Sequence, residues 1–208
     1  ERFRRQRQMC IRDSYKRDGG LAGLATGFKD LDKQLGGLHP SDLLVLAGRP
    51  AMGKTALATN IAYHVATAHQ PDGSRPVVAF FSLEMSAEQL ATRILSENTE
   101  ISSEKIRRGE LSSNDFQKLV KSSQELESAL LFIDDTPAIP LSTLRTRARR
   151  LLRQHDLSLI IVDYLQLMRP SPGQRTDNRV QEVSVITQGL KAIAKELNVP
   201  ILALSQLS

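Results

Sequence analysis

The sequence holds 208 residues, 40% hydrophobic and 25% charged, with a formal net charge of +5 and a pI near 9.6. That fits one α/β domain with a sizeable core and is too apolar for wholesale disorder. Aromatic residues make up only 4% and tryptophan is absent, which argues against recognition on a stacked aromatic platform.

The basic surplus is local. Residues 1–17 carry Arg2, Arg4, Arg5, Arg7, Arg12, Lys16 and Arg17 against Glu1 and Asp13, a surplus of five that equals the net charge of the chain. The remainder is formally neutral, so global charge is weak support for nucleic-acid binding. Residues 1–20 end in Asp18-Gly19-Gly20 and read as a basic tail or linker. Residues 4–13 also resemble translated adapter sequence that is not native, and their charges are given no functional weight. The single Cys10 permits no internal disulfide and suits a reducing cytosol. His39, His64, His69 and His155 lack metal-ligand spacing. No apolar run reaches the roughly 18 residues of a membrane span, and charge interrupts every apolar stretch near the N-terminus. A cytoplasmic protein with no membrane partner is the expectation.

Residues 21–41 show turn punctuation at Gly27, Gly36-Gly37 and Pro40 around Phe28, Leu31, Leu35 and Leu38. A strand–helix rhythm follows. Leu43-Leu44-Val45-Leu46-Ala47 suits a buried parallel strand, and a helix is predicted over 54–69, stopped by Pro71-Asp72-Gly73. Val77-Val78-Ala79-Phe80-Phe81 is a second strand. Ser86 then caps a helix, with Gln89 at the reciprocal position and Leu90, Ile94 and Leu95 as its apolar stripe. A helix is predicted over 112–127, a third strand over 130–133, and an amphipathic helix over 141–155 whose arginines lie on a solvated face. A fourth strand covers 159–162, a polar loop 170–178, a helix 181–197 and a fifth strand 201–204. The alternation predicts a mostly parallel sheet with helices on both faces.

Gly48-Arg49-Pro50-Ala51-Met52-Gly53-Lys54-Thr55 fits the P-loop pattern, with a buried strand before it and a helix after. Glycines let the backbone N–H groups curl toward phosphate oxygens at the positive end of the helix. Lys54 would reach the β- and γ-phosphates of ATP or another NTP, and the Thr55 hydroxyl would ligate Mg2+. Such a site needs an acid at the end of a neighbouring strand. Asp163 is preferred because its strand is more completely apolar, with Asp134 as competitor. Glu84, just past the second strand, sits where α/β sheets place ligands, and its position fits a general base and a solvent-facing residue equally.

Several blocks together resemble the C-terminal motor domain of the DnaB family of bacterial replicative helicases, within the RecA-like ATPases. They are Thr26-Gly27-Phe28 with Leu31-Asp32 and Gly36-Gly37-Leu38, the P-loop from Ala47 to Thr55, Phe81-Ser82-Leu83-Glu84-Met85-Ser86, Ile106-Arg107-Arg108-Gly109, Val162-Asp163-Tyr164-Leu165-Gln166-Leu167, and Leu204-Ser205-Gln206-Leu207-Ser208. The likeness covers residues 21–208. It implies a RecA-like ATPase domain in a homo-hexamer that hydrolyses NTP between subunits and moves 5′ to 3′ on single-stranded DNA at the replication fork. It implies Glu84 as the catalytic carboxylate, Asp163 as the Mg2+ acid and Gln206 as a γ-phosphate sensor. It further implies that an arginine finger, further strands, a DNA-contacting loop, and primase and loader contacts lie outside these 208 residues, leaving the domain incomplete at its C-terminal end. Arg169, Arg175 and Arg179, in or beside the loop after the Mg2+ acid, are candidates for phosphate-backbone contact, alongside a plain solvated connector. Two other readings remain: a RecA-like recombination or repair ATPase, and a non-hydrolysing ATP-binding assembly module.

Overall fold

The computed structural model describes residues 21–69, 73–170 and 178–207. One sheet of five parallel strands organises them: β1 (Leu43–Gly48), β2 (Val77–Ser82), β3 (Leu131–Asp134), β4 (Leu157–Asp163) and β5 (Ile201–Gln206), in the order β1-β5-β4-β2-β3. The helices among the described residues are α1 (Lys29–Leu35), α2 (Lys54–Thr67), α3 (Ala87–Thr99), α4 (Ser103–Arg108), α5 (Ser113–Ser128), α6 (Leu141–His155) and α7 (Arg179–Leu197). None of them is long and apolar enough to cross a membrane.

The apolar runs of β2, β4 and β5 are buried on both faces, as parallel strands between helix layers must be. β1, expected to be buried, is instead an edge strand with Val45 50% exposed, and β3, at the other edge, is half-buried, because an edge strand has a neighbour on one side only. Val77, Ala79, Phe81, Ile160, Val162, Ile201 and Ala203 pack with Leu144 and Ala148 of α6 and Ile186 and Leu190 of α7. Their alternating neighbours Val78, Phe80, Leu159, Ile161, Leu202 and Leu204 pack with Ala58, Ile61 and Val65 of α2 and Leu90 of α3. Helices therefore cover both faces, in agreement with the strand–helix alternation. Ser86 caps α3 as expected, accepting from the Gln89 N–H at 3.3 Å while the Gln89 side chain accepts from the Ser86 N–H at 3.0 Å.

Two short helices escaped the periodicity. α1 spans 7 residues and α4 spans 6, too few turns for an apolar stripe to declare itself. α1 is anchored through buried groups: the Thr26 N–H and hydroxyl both donate to Asp32 Oδ1 at 2.8 Å. Gly27 stands between them at φ 87°, where a Cβ would meet the His64 ring at 2.5 Å. Only glycine fits that turn.

Strand boundaries also shift. The expected strand 130–133 runs from Leu131 to Asp134, and 159–162 extends to Leu157–Asp163. Each strand runs one or two residues further than its apolar run, so Gly48, Ser82, Asp134, Asp163 and Gln206 all end up on the carboxyl edge. That edge is where open α/β sheets bind ligands.

Candidate nucleotide site

The chain leaves β1 at Gly48 and enters α2 at Lys54. Gly53 is the N-cap of α2 at φ 78°, a left-handed conformation that a side chain would strain. No side chain caps α2 and its first turn holds no acid. The leading N–H groups and the positive helix end are thus unneutralised by the protein, which is the chemistry of an anion cradle. Lys54 Nζ donates to the Arg49 carbonyl at 2.8 Å, folding the loop over its own lysine.

Strand order decides what faces this loop. β5 lies between β1 and β4, so Asp163 is two strands from Gly48, about 10 Å at the usual strand spacing. Thr55, at the start of α2, bridges the gap: its hydroxyl donates to Asp163 Oδ2 at 2.8 Å. Asp134 ends β3 at the far edge, four strands from β1, about 19 Å by the same spacing. It is also ion-paired with Arg147 and accepts from the Thr136 N–H. The structure thus puts Asp163, not Asp134, beside the phosphate loop.

Asp163 is 2% exposed. Burial raises its pKa above the ordinary carboxylate value, and the nearby Glu84 charge adds to the rise; the Thr55 hydrogen bond and the charges of Lys54 and Arg93 oppose it. Glu84 follows β2 directly. The turn carrying it is pinned by the Leu83 N–H donating to the Asp163 carbonyl at 2.8 Å and by Ser82 Oγ donating to the Met85 carbonyl at 2.7 Å. A pocket of about 220 Å³ opens between these elements, lined by Lys54, Thr55, Glu84, Arg93, Asp163 and Gln206 among others. Gly48, at the root of the loop, pairs with Gln206 in the β1–β5 ladder, and Arg49 joins it to the lining residues Pro50, Ala51, Met52 and Gly53.

Arg93 was not legible as a site residue. It lies on α3 beside the buried stripe of Leu90 and Ile94, half-buried, and only the packing of α3 against the sheet turns it toward Asp163. Its spacing from Glu84 carries no chemical signature.

The candidate DNA contacts divide. Arg169 is exposed, with its backbone bridged to residues 139–141 by the Arg169 N–H donating to the Ile139 carbonyl and the Leu141 N–H to the Arg169 carbonyl. Arg175 lies outside the described residues. Arg179, at the start of α7, is ion-paired with Glu182 and donates to the Gln166 carbonyl. On α6, Arg145 and Arg149 share Glu196, in keeping with a solvated, paired face.

A parallel sheet, a phosphate loop between β1 and α2, and an acid across the adjacent strand define a RecA-like P-loop NTPase domain. Residues 23–208 match the family model for the DnaB-like helicase C terminal domain, and the chain belongs to that family. It is 50% identical over 203 residues to the replicative DNA helicase DnaB of Rickettsia typhi, covering 95% of this chain and 40% of that protein. The chain therefore spans about two fifths of the length of such relatives. A solved DnaB-like replicative helicase, described with its interactions with primase, superposes with TM-score 0.85 at 30% identity, covering 96% of this chain and 47% of that one. A second solved chain, described as an ATPase domain, gives TM-score 0.87 at 29% identity over 98% of this chain and 70% of its own.

Proposed function

We propose that this domain binds ATP with Mg2+ and hydrolyses it as the motor of a replicative DNA helicase, a homo-hexamer moving 5′ to 3′ along single-stranded DNA at the cytoplasmic replication fork. The observation that carries the reading is the 2.8 Å bond from the Thr55 hydroxyl to Asp163, which joins a phosphate loop to an acid on the one carboxyl edge that also holds Glu84 and Gln206.

The donors fit Mg2+. Thr55 and Asp163 offer two oxygens, and no cluster of three or more His, Cys, Asp or Glu residues stands among the described residues. Mg2+ in nucleotide sites takes one or two protein oxygens and fills its shell with phosphate oxygens and water. When bound, the ion supplies charge neutralisation on the phosphate oxygens. The chain's own groups do the rest. The N–H groups of the loop and Lys54 hold the phosphates, Glu84 orients or deprotonates the attacking water, and Gln206 senses the γ-phosphate from the end of β5. The solved relative's association with primase extends the proposal to primase as a partner of the whole protein.

The decisive assay is ATP turnover by the assembled protein with and without single-stranded DNA, together with strand displacement from a forked duplex. DNA-stimulated turnover with displacement is expected. Stimulated turnover without displacement would favour a recombination or repair ATPase instead.

Asp163→Asn separates stability from function. Because burial raises the carboxyl pKa, the folded state favours the protonated form; that contribution is complete below the ordinary carboxylate pKa and is lost as pH rises through the raised value. At neutral pH the buried charge is a liability, so the asparagine variant is expected to melt at or above the wild-type temperature. The Mg2+-dependent part of its ATP affinity is expected to vanish. Calorimetric melting with and without Mg-ATP checks both, and a variant still stabilised by Mg-ATP to the wild-type extent would remove Asp163 from the metal site.

A further inference from the structure

The β4–β5 ladder pairs Ile160 with Ile201, Ile161 with Leu202 and Val162 with Ala203. After Asp163 the chain of β4 turns away into a single 3-10 turn, Leu165–Leu167, while β5 continues to Gln206. On its other side β5 stays paired, with Ser205 opposite Ala47 and Gln206 opposite Gly48, and the Leu207 N–H donating to the Gly48 carbonyl at 3.0 Å. Among the described residues, the end of β5 would therefore be held on one side only, were it not for Gln166.

Gln166 occupies the vacated edge with its side chain. Its amide nitrogen donates to Ser205 Oγ at 3.0 Å and to the Gln206 carbonyl at 3.0 Å, and its Oε1 accepts from the Gln206 N–H at 3.2 Å. A primary amide offers the one acceptor and one donor that a peptide group of a neighbouring strand would present, with a second N–H besides. The turn is fixed by Leu165 and Met168, 2% and 1% exposed, which anchor it on either side of the half-buried Gln166. It is tied further by Arg179, which donates to the Gln166 carbonyl from the start of α7. Both acceptors and the donor that Gln166 engages belong to the last two residues of β5, and Gln206 lines the nucleotide pocket.

We propose that Gln166 is a positioning residue for the nucleotide site: its side-chain amide replaces the missing strand and holds the Gln206 backbone so that the Gln206 side chain meets the γ-phosphate. The proposal rests on the reading of Gln206 as the γ-phosphate sensor. Gln166 itself lies on the β4 side of β5 and is not among the described residues that line the nucleotide pocket. Its effect must appear as lost discrimination between triphosphate and diphosphate rather than as lost binding, because Lys54 and the loop hold the remaining phosphates.

The test uses this chain with Mg2+ and two probes, AMP-PNP and ADP. In Gln166→Ala the AMP-PNP to ADP affinity ratio is expected to fall about tenfold, the size of one hydrogen bond to a charged group. Gln206→Ala should lower it as much, and the double variant no further, since both act through one contact. Amide exchange at Gln206, read by NMR, should quicken in Gln166→Ala and stay slow in Gln206→Ala, whose backbone keeps the clamp. A normal ratio in Gln166→Ala beside a reduced one in Gln206→Ala overturns the inference and leaves the sensor reading intact. A normal ratio in both overturns the sensor reading, and the inference with it. Unchanged exchange at Gln206 in Gln166→Ala removes the clamp. If Gln166→Ala does not fold, Gln166→Glu keeps the shape and the acceptor but lacks both donors; the same tenfold fall is expected there, and a wild-type ratio refutes the proposal.

Discussion

Lys54→Ala is expected to weaken ATP binding by about 10²–10⁴-fold while leaving the melting temperature of the nucleotide-free chain nearly unchanged. The affinity loss follows from removing a cation that would bond both the β- and γ-phosphates, with each charge-assisted bond contributing about 1.5–3 kcal/mol. The stability expectation follows from the neighbourhood. Among the described residues, Lys54 Nζ bonds only the Arg49 carbonyl, at 2.8 Å, in an exposed loop, and the α2 residues that carry the core are Ala58, Ile61, Ala62, Val65 and Ala66. Alanine is also the best helix former at this first-turn position. Titration calorimetry with ATP, paired with thermal melting, measures both. Wild-type affinity in the variant would mean that Gly48–Thr55 does not hold the phosphates.

Glu84→Gln is expected to lower kcat for ATP in the assembled, DNA-stimulated protein by about 10²–10⁴-fold, with ATP affinity within about twofold of wild type. Glutamine keeps the shape and a polar end but cannot take a proton. Glu84 is exposed at the pocket and, among the described residues, makes no bond that holds the fold; the turn is fixed by Ser82, Leu83 and Met85 instead. Single-turnover and steady-state hydrolysis separate chemistry from product release. Unchanged turnover would remove Glu84 from the reaction, and absence of turnover in the unaltered protein as well would favour the nucleotide-binding assembly module.

Most of the architecture was legible because it rests on local signals. Val77–Phe81 and Leu159–Val162 are unbroken apolar runs, which only strands covered on both faces sustain. Ser86 with Gln89 announced a helix start through a contact three residues long. α1 and α4 were hidden because 7 and 6 residues hold fewer than two turns, and α1 depends on Thr26 and Asp32 finding each other in the interior. Within the candidate site, the P-loop pattern could be read because its glycines, lysine and threonine lie in one short stretch of curled backbone.

The remaining site residues belong to a different kind of information. Choosing Asp163 over Asp134 on strand composition alone was a preference between two similar acids at two strand ends. The strand order β1-β5-β4-β2-β3 separates them by distance, bringing one within a hydrogen bond of Thr55 and sending the other to the far edge and its partner Arg147. Arg93 and Gln166 had no spacing to betray them, because their partners are set by how α3 and the turn after β4 pack.

By itself the sequence determined a parallel α/β domain with a P-loop sequence pattern at Gly48–Thr55, since apolar period, capping and loop curvature are properties of neighbouring residues. Only the tertiary structure decided what stands opposite that loop. Placing β5 between β1 and β4 brings residues 108 positions apart, Thr55 and Asp163, into contact and leaves the end of β5 to be held by a side chain. That order is a long-range packing outcome of two helix layers closing on one sheet, and no local rule contains it.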